Sequence, residues 1–219
     1  MDASDQVIFL LMVVINIAPV AVYFLVLGQV NSQSRPVVVN ARADFQILTL
    51  SFAPLLIWPI PFLVENDQWW ALIAGLAVVS AGFARLVPAT HSGWVLYNMG
   101  RAEGWSVLQE AVAARGWASR RIDHGLEIPT AGFCVEVTPF ALLRNVTFRI
   151  TSLGAPIEPD RVAELEAHLR SQVARQSLLP STIGGCLTVL GVSLMIVPLW
   201  LMSRHIDAIV EVVHRLLFA

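Results

Sequence analysis

Hydrophobic residues fall into four long runs along the chain, and a polar, alternating stretch separates the third from the fourth. Val7 to Leu27 is almost unbroken apolar sequence, close to the roughly 20 residues a helix rising 1.5 Å per residue needs to cross a bilayer core. Runs at about 45–64, 69–87 and 183–202 meet the same requirement. The pattern predicts an α-helical integral membrane protein with four transmembrane helices. The segment from Tyr97 to Ser181, inserted between helices three and four, carries enough charge to fold in water. The chain thus divides into a membrane anchor over 1–96, an insert over 97–181 and a closing part over 182–219.

Each run has features that bear on packing. Asn16 in the first is expected to seek a partner on a neighbouring helix. Pro54, Pro59 and Pro61 remove backbone donors from the second and predict a kink or break in its outer half. Ala71 with Gly75, and Ala77 with Ala81, stand four residues apart in the third, which predicts close helix contact and a central place in the bundle. Arg85 lies near the end of that run, where a long side chain reaches the headgroups and avoids the ~3 kcal/mol penalty of a charge at the bilayer centre. After Pro88, Ala89 to Met99 reads as an interfacial helix joining membrane to insert. Beyond the fourth run, Ile206, Ile209, Val213, Leu216 and Leu217 recur at helical spacing opposite Arg204, Asp207, Glu211, His214 and Arg215, predicting an amphipathic C-terminal helix.

Inside the insert the period changes. Trp105, Leu108, Ala111 and Val112 share one face of a helix over Glu103 to Arg115. From Arg120 to Ile150 apolar residues alternate with polar ones, which predicts four short antiparallel strands: one around Ile122, one with Leu126 and Ile128, one from Phe133 to Val137 and one from Val146 to Ile150. A second helix begins at Pro159, with Val162, Leu165, Leu169 and Val173 as its stripe. Together these predict a small two-layer α+β domain, with helices covering one face of the sheet. The other face is expected to present Arg121, Glu127, Glu136 and Arg149.

Composition supports the membrane assignment. Of 219 residues, 56% are hydrophobic and 14% charged, against about 25% charged in an ordinary soluble domain. A formal charge of −2 supplies no positive field for nucleic acid, so no nucleic-acid partner is expected. All fourteen basic residues are Arg, the usage of a GC-rich bacterial genome, which points to a bacterial inner membrane. Asp2 and Asp5 precede the first run without a positive charge, so it is read as a retained helix and not a secretory signal. Arg35 and Arg42 mark the connector between runs one and two as cytoplasmic, whereas the next loop carries Glu65 and Asp67; the insert is then cytoplasmic as well.

Candidate chemistry is sparse. No phosphate-binding glycine loop, nucleophile elbow or metal-binding motif occurs, and the five histidines show no ligand spacing. Cys134 and Cys186 cannot form a disulfide framework. No catalytic residue, cofactor or metal is predicted. The leading expectation is a non-enzymatic membrane subunit or adaptor, held in the lipid bilayer, presenting the insert to a protein partner or to a second copy through Arg121, Glu127, Glu136 and Arg149. The alternatives are a small oligomeric transporter or pore, resting on the prolines of the second run with Asn16 and Arg85, and a membrane lipid enzyme using His91, Arg85 and Arg101.

Overall fold

The computed structural model describes residues 3–89, 92–154 and 156–218. In chain order the elements are α1 (Ala3–Ser32), β1 (Val37–Asn40), α2 (Ala41–Ile57), α3 (Pro59–Glu65), α4 (Trp69–Leu86), β2 (Gly93–Tyr97), α5 (Arg101–Ala114), β3 (Arg120–Ile122), β4 (Gly125–Ile128), β5 (Phe133–Phe140), β6 (Asn145–Ser152), α6 (Pro159–Arg175), α7 (Thr182–Arg204) and α8 (Ile206–Phe218). Two compact units emerge: Met1–Val26, Ile47–Ala84 and Leu187–Ala219 form a helical unit, and Leu27–Gln46 with Arg85–Cys186 form an α+β unit.

Four helical stretches are long and apolar enough to cross a membrane: Val7–Ser32, Ala41–Glu65, Trp69–Leu86 and Thr182–Arg204. The second is broken at Trp58, because Pro59 has no N–H to continue the ladder and starts α3 at its first turn. Within the helical unit, Tyr23 meets Phe52 edge to face at 6.1 Å. Gly191 of α7 lies against α1 so closely that a Cβ there would come within 2.8 Å of the Leu25 nitrogen and 2.9 Å of the Ala21 carbonyl oxygen. Only glycine permits that approach.

Two expectations for the spans are corrected. No residue of α4 is buried, and nothing lies within 4 Å of where a Cβ would stand at Gly75 or Gly82. Small-residue spacing permits helix contact without selecting the helix that makes it; the tight contact belongs to α7. Asn16 is buried, but its hydrogen bond stays within its own helix: Nδ2 donates to the Met12 carbonyl one turn back, at 2.8 Å.

The α+β unit is built on one antiparallel sheet in the order β1-β2-β6-β5-β4-β3. Four strands lie where the alternation predicts them. The other two lie outside that alternation. Residues 93–97, expected within an interfacial helix, form β2, which pairs with both β1 and β6. All five of its residues are buried, so it shows no polar alternation, and a run buried on both faces cannot be told from a helix by period alone. β1 comes from the first connector. Its last residue, Asn40, also starts α2 by accepting the Arg42 N–H on Oδ1 at 2.9 Å.

Helices α5 and α6 cover one face of the sheet. Trp94, Leu96, Leu126, Phe133, Val135, Val146 and Phe148 project from the strands into a core closed by Trp105, Leu108, Leu165 and Leu169. Backbone bonds tie the ends of the unit together: the Leu178 N–H donates to Ser34 at 2.8 Å and the Met99 N–H to Arg144 at 2.8 Å. Buried Asn98 takes a left-handed φ of 56°, which Asn tolerates, and its Nδ2 donates to the Gln33 carbonyl at 2.6 Å.

Candidate functional site

Residues directly opposite in an antiparallel pair point to the same face, so register assigns every side chain of the sheet. Glu136 stands across from Gly125 on one side and Arg149 on the other. Glu127 stands across from Arg120 and Cys134. Arg120, Glu127, Glu136 and Arg149 therefore share the face that α5 and α6 leave uncovered, together with Cys134, Thr138, Thr147 and Thr151.

Arg121 does not belong to this group. It pairs with Leu126, which puts it on the helix-covered face, and its guanidinium stacks 4.7 Å from the centre of the Trp105 ring. The turn between β3 and β4 holds two residues, Asp123 and His124. Such a turn pairs odd-numbered with even-numbered positions, so Arg121 must join the even-numbered core residues Leu126 and Ile128. A strand of three residues has too little apolar alternation to override the turn. The same rule places Arg120 on the open face, a residue that alternation alone misses.

A groove of about 880 Å³ runs along this open face. Glu136, Thr147, Arg149 and Thr151 line it from the open face, Ser92 adds a hydroxyl, Phe148, Ile150 and Ser152 of β6 border it from positions that register assigns to the other face, and Arg85, Leu86, Val87, Pro88, Ala41 and Ile157 are also in the lining. All of these residues belong to the α+β unit. The groove thus brings together Arg85, read in the sequence as a membrane-proximal charge, with Glu136 and Arg149, read as sheet surface. Arg101, at the start of α5, is exposed and does not line it. Asn16 belongs to the helical unit, and His91 lies outside the described residues.

Two further features shape the face. The Tyr97 hydroxyl donates to Asp44 Oδ1 at 2.5 Å, which ties the first turn of α2 to β2. Cys134 is 7% exposed; burial pushes its thiol above the ordinary range, and the Glu136 and Glu127 carboxylates push it further in the same direction. A neutral, buried thiol is a poor nucleophile. Among the described residues no group of three or more His, Cys, Asp or Glu side chains is placed to hold a metal ion.

Comparison with protein-family models, with curated proteins and with solved structures gives no match to this chain.

Proposed function

We propose that the chain is a non-enzymatic integral membrane subunit that presents its α+β unit to a protein partner on the cytoplasmic side of a bacterial inner membrane. The observation that carries this is the division of the sheet: one face is closed by the chain's own helices, and the other holds a row of charged and hydroxyl side chains from Arg120 across to Thr147. A surface of mixed charge over a rigid sheet suits electrostatic selection of a partner.

One feature supports the cytoplasmic side, and a second supports a common side for connector and insert. Arg35 and Arg42 favour a cytoplasmic first connector by the positive-inside rule. The pairing of β1 with β2 requires that connector and the insert to lie on one side, and four successive crossings satisfy this requirement. Cys134 is buried, so labelling of an introduced thiol at exposed Leu153 is the suitable check: Leu153→Cys in a background with Cys134→Ala and Cys186→Ala should react only from the cytoplasmic side.

Photo-crosslinking in native membranes tests the partner. A reactive residue at Glu127 or Thr138, on the open face, should give a discrete adduct with another protein, and one at exposed Ala167 of α6 should not. Purification in mild detergent that returned a lone monomer, with no adduct from either open-face position, would refute the proposal. Adducts made only of this chain would assign the face to self-association instead.

A further inference from the structure

The groove carries charges that the protein does not neutralise by itself. Arg149 and Glu136 stand directly across from one another, where Cβ atoms of opposite residues lie about 5 Å apart, yet they form no ion pair. The ion pairs found among the described residues, Arg115 with Glu164, Arg161 with Glu158 and Arg170 with Glu166, all lie elsewhere. Arg85 joins the same lining from the last turn of α4, also without an ion-pair partner among the described residues. Two guanidinium groups and one carboxylate leave the groove with one net positive charge.

We propose that this groove binds the headgroup of an amine-bearing phospholipid. A phosphate diester carries one negative charge, and the planar guanidinium forks of Arg85 and Arg149 match its oxygens better than any other side chain does. Glu136 opposes a second negative charge beside the phosphate and attracts an ammonium, so the three residues together fit a group with phosphate at one end and amine at the other. Leu86, Val87 and Ile157 supply an apolar wall for the glycerol and the first methylenes. The source is lipid because Arg85 ends a helix of 18 residues long and apolar enough to span a bilayer, which places it at headgroup level. This last step rests on the membrane-spanning role of α4.

The test uses the full chain in detergent, stripped of co-purified lipid and examined by native mass spectrometry. Phosphatidylethanolamine, phosphatidylglycerol and diacylglycerol with the same acyl chains are offered in turn, with glycerophosphoethanolamine as the soluble competitor. Phosphatidylethanolamine should bind, phosphatidylglycerol more weakly, and diacylglycerol no better than detergent. Arg85→Gln with Arg149→Gln should weaken phosphatidylethanolamine binding at least about tenfold, as expected for lost charge-assisted contacts. Glu136→Gln should abolish the preference for the amine, and Arg120→Gln, on the same face outside the groove, should change nothing.

Diacylglycerol binding equal to phosphatidylethanolamine, or a double variant that behaves like Arg120→Gln, would overturn the site. Equal binding of phosphatidylglycerol would overturn the amine assignment, and competition by glycerophosphoethanolamine at equal concentration would overturn the lipid source. Arg85 and Arg149 are exposed, so the variants are expected to fold, and the ranking of lipids on the unaltered chain needs no variant at all. Extraction of the chain from vesicles by alkaline carbonate reports separately on the membrane spans: release would refute the spans, whereas retention without lipid selectivity would refute the site alone.

Discussion

Trp94 offers the sharpest test of where the sheet begins. In an interfacial helix its ring would lie among headgroups, and truncation to alanine would leave the insert intact. In the fold it is 1% exposed, projecting from β2 into the core beside Phe148. A buried Trp removes about 200 Å² from water, worth about 5 kcal/mol at 25 cal/mol per Å². Alanine keeps part of that area and the surroundings relax partly into the hole, so Trp94→Ala should destabilise the α+β unit by about 3–5 kcal/mol. Against a typical total of about 5–15 kcal/mol this is a large fraction. Hydrogen exchange of the full chain in micelles, read at the β5 and β6 amides that open only with the whole sheet, should accelerate by about two to four decades. Trp70→Ala, at a residue 76% exposed, serves as the control. Acceleration below about tenfold, or no larger than the control's, would show that Trp94 is not part of the core.

Other consequences follow from register and burial. Gly93 has φ +149°, and a Cβ there would meet the Phe148 carbonyl oxygen at 1.8 Å; Gly93→Ala should therefore disrupt the β2–β6 pairing and lower stability by about 3 kcal/mol, measured by the same exchange experiment. Arg121→Ala should remove only its stacking on Trp105, about 0.5–1 kcal/mol, and leave open-face crosslinking unchanged; loss of the adduct would show that the face assignment is wrong. For Cys134, the raised folded pKa means that below pH ~8.5, the usual thiol value, both folded and unfolded chains hold the proton and stability is unaffected. Above it the unfolded chain releases the proton first, so stability falls as pH rises. Cys134→Ala should flatten that part of the decline in denaturant unfolding between pH 7.5 and 10, and identical slopes would contradict the thiol's burial.

The groove also shows why the parts of a candidate site were legible without the site being so. Glu136 and Arg149 stand out in the sequence as charged residues alternating with apolar ones, and Arg85 as a charge at the end of an apolar run. Their convergence depends on β2 bringing Arg85 to Ala89 and Ser92 up to the sheet, and β2 is invisible to alternation because both its faces are buried. The face of Arg121 was readable in principle from the two-residue turn, since turn length fixes register more firmly than three residues of apolar pattern. Thr147 and Thr151 gave no signal, because isolated threonines in a strand are ordinary sheet residues.

By itself the sequence determined the four long apolar helices, a kink or break in the outer half of the second, the strands from Arg120 to Ile150 and the two helices that cover them, because these depend on local period, length and proline chemistry. Tertiary structure decided what depends on partners distant in the chain: that the first connector supplies an edge strand, that α7 and not α4 makes the tight helix contact, and that Arg85, Glu136 and Arg149 line one groove. Period records which face of an element is apolar. It does not record which other element that face will meet.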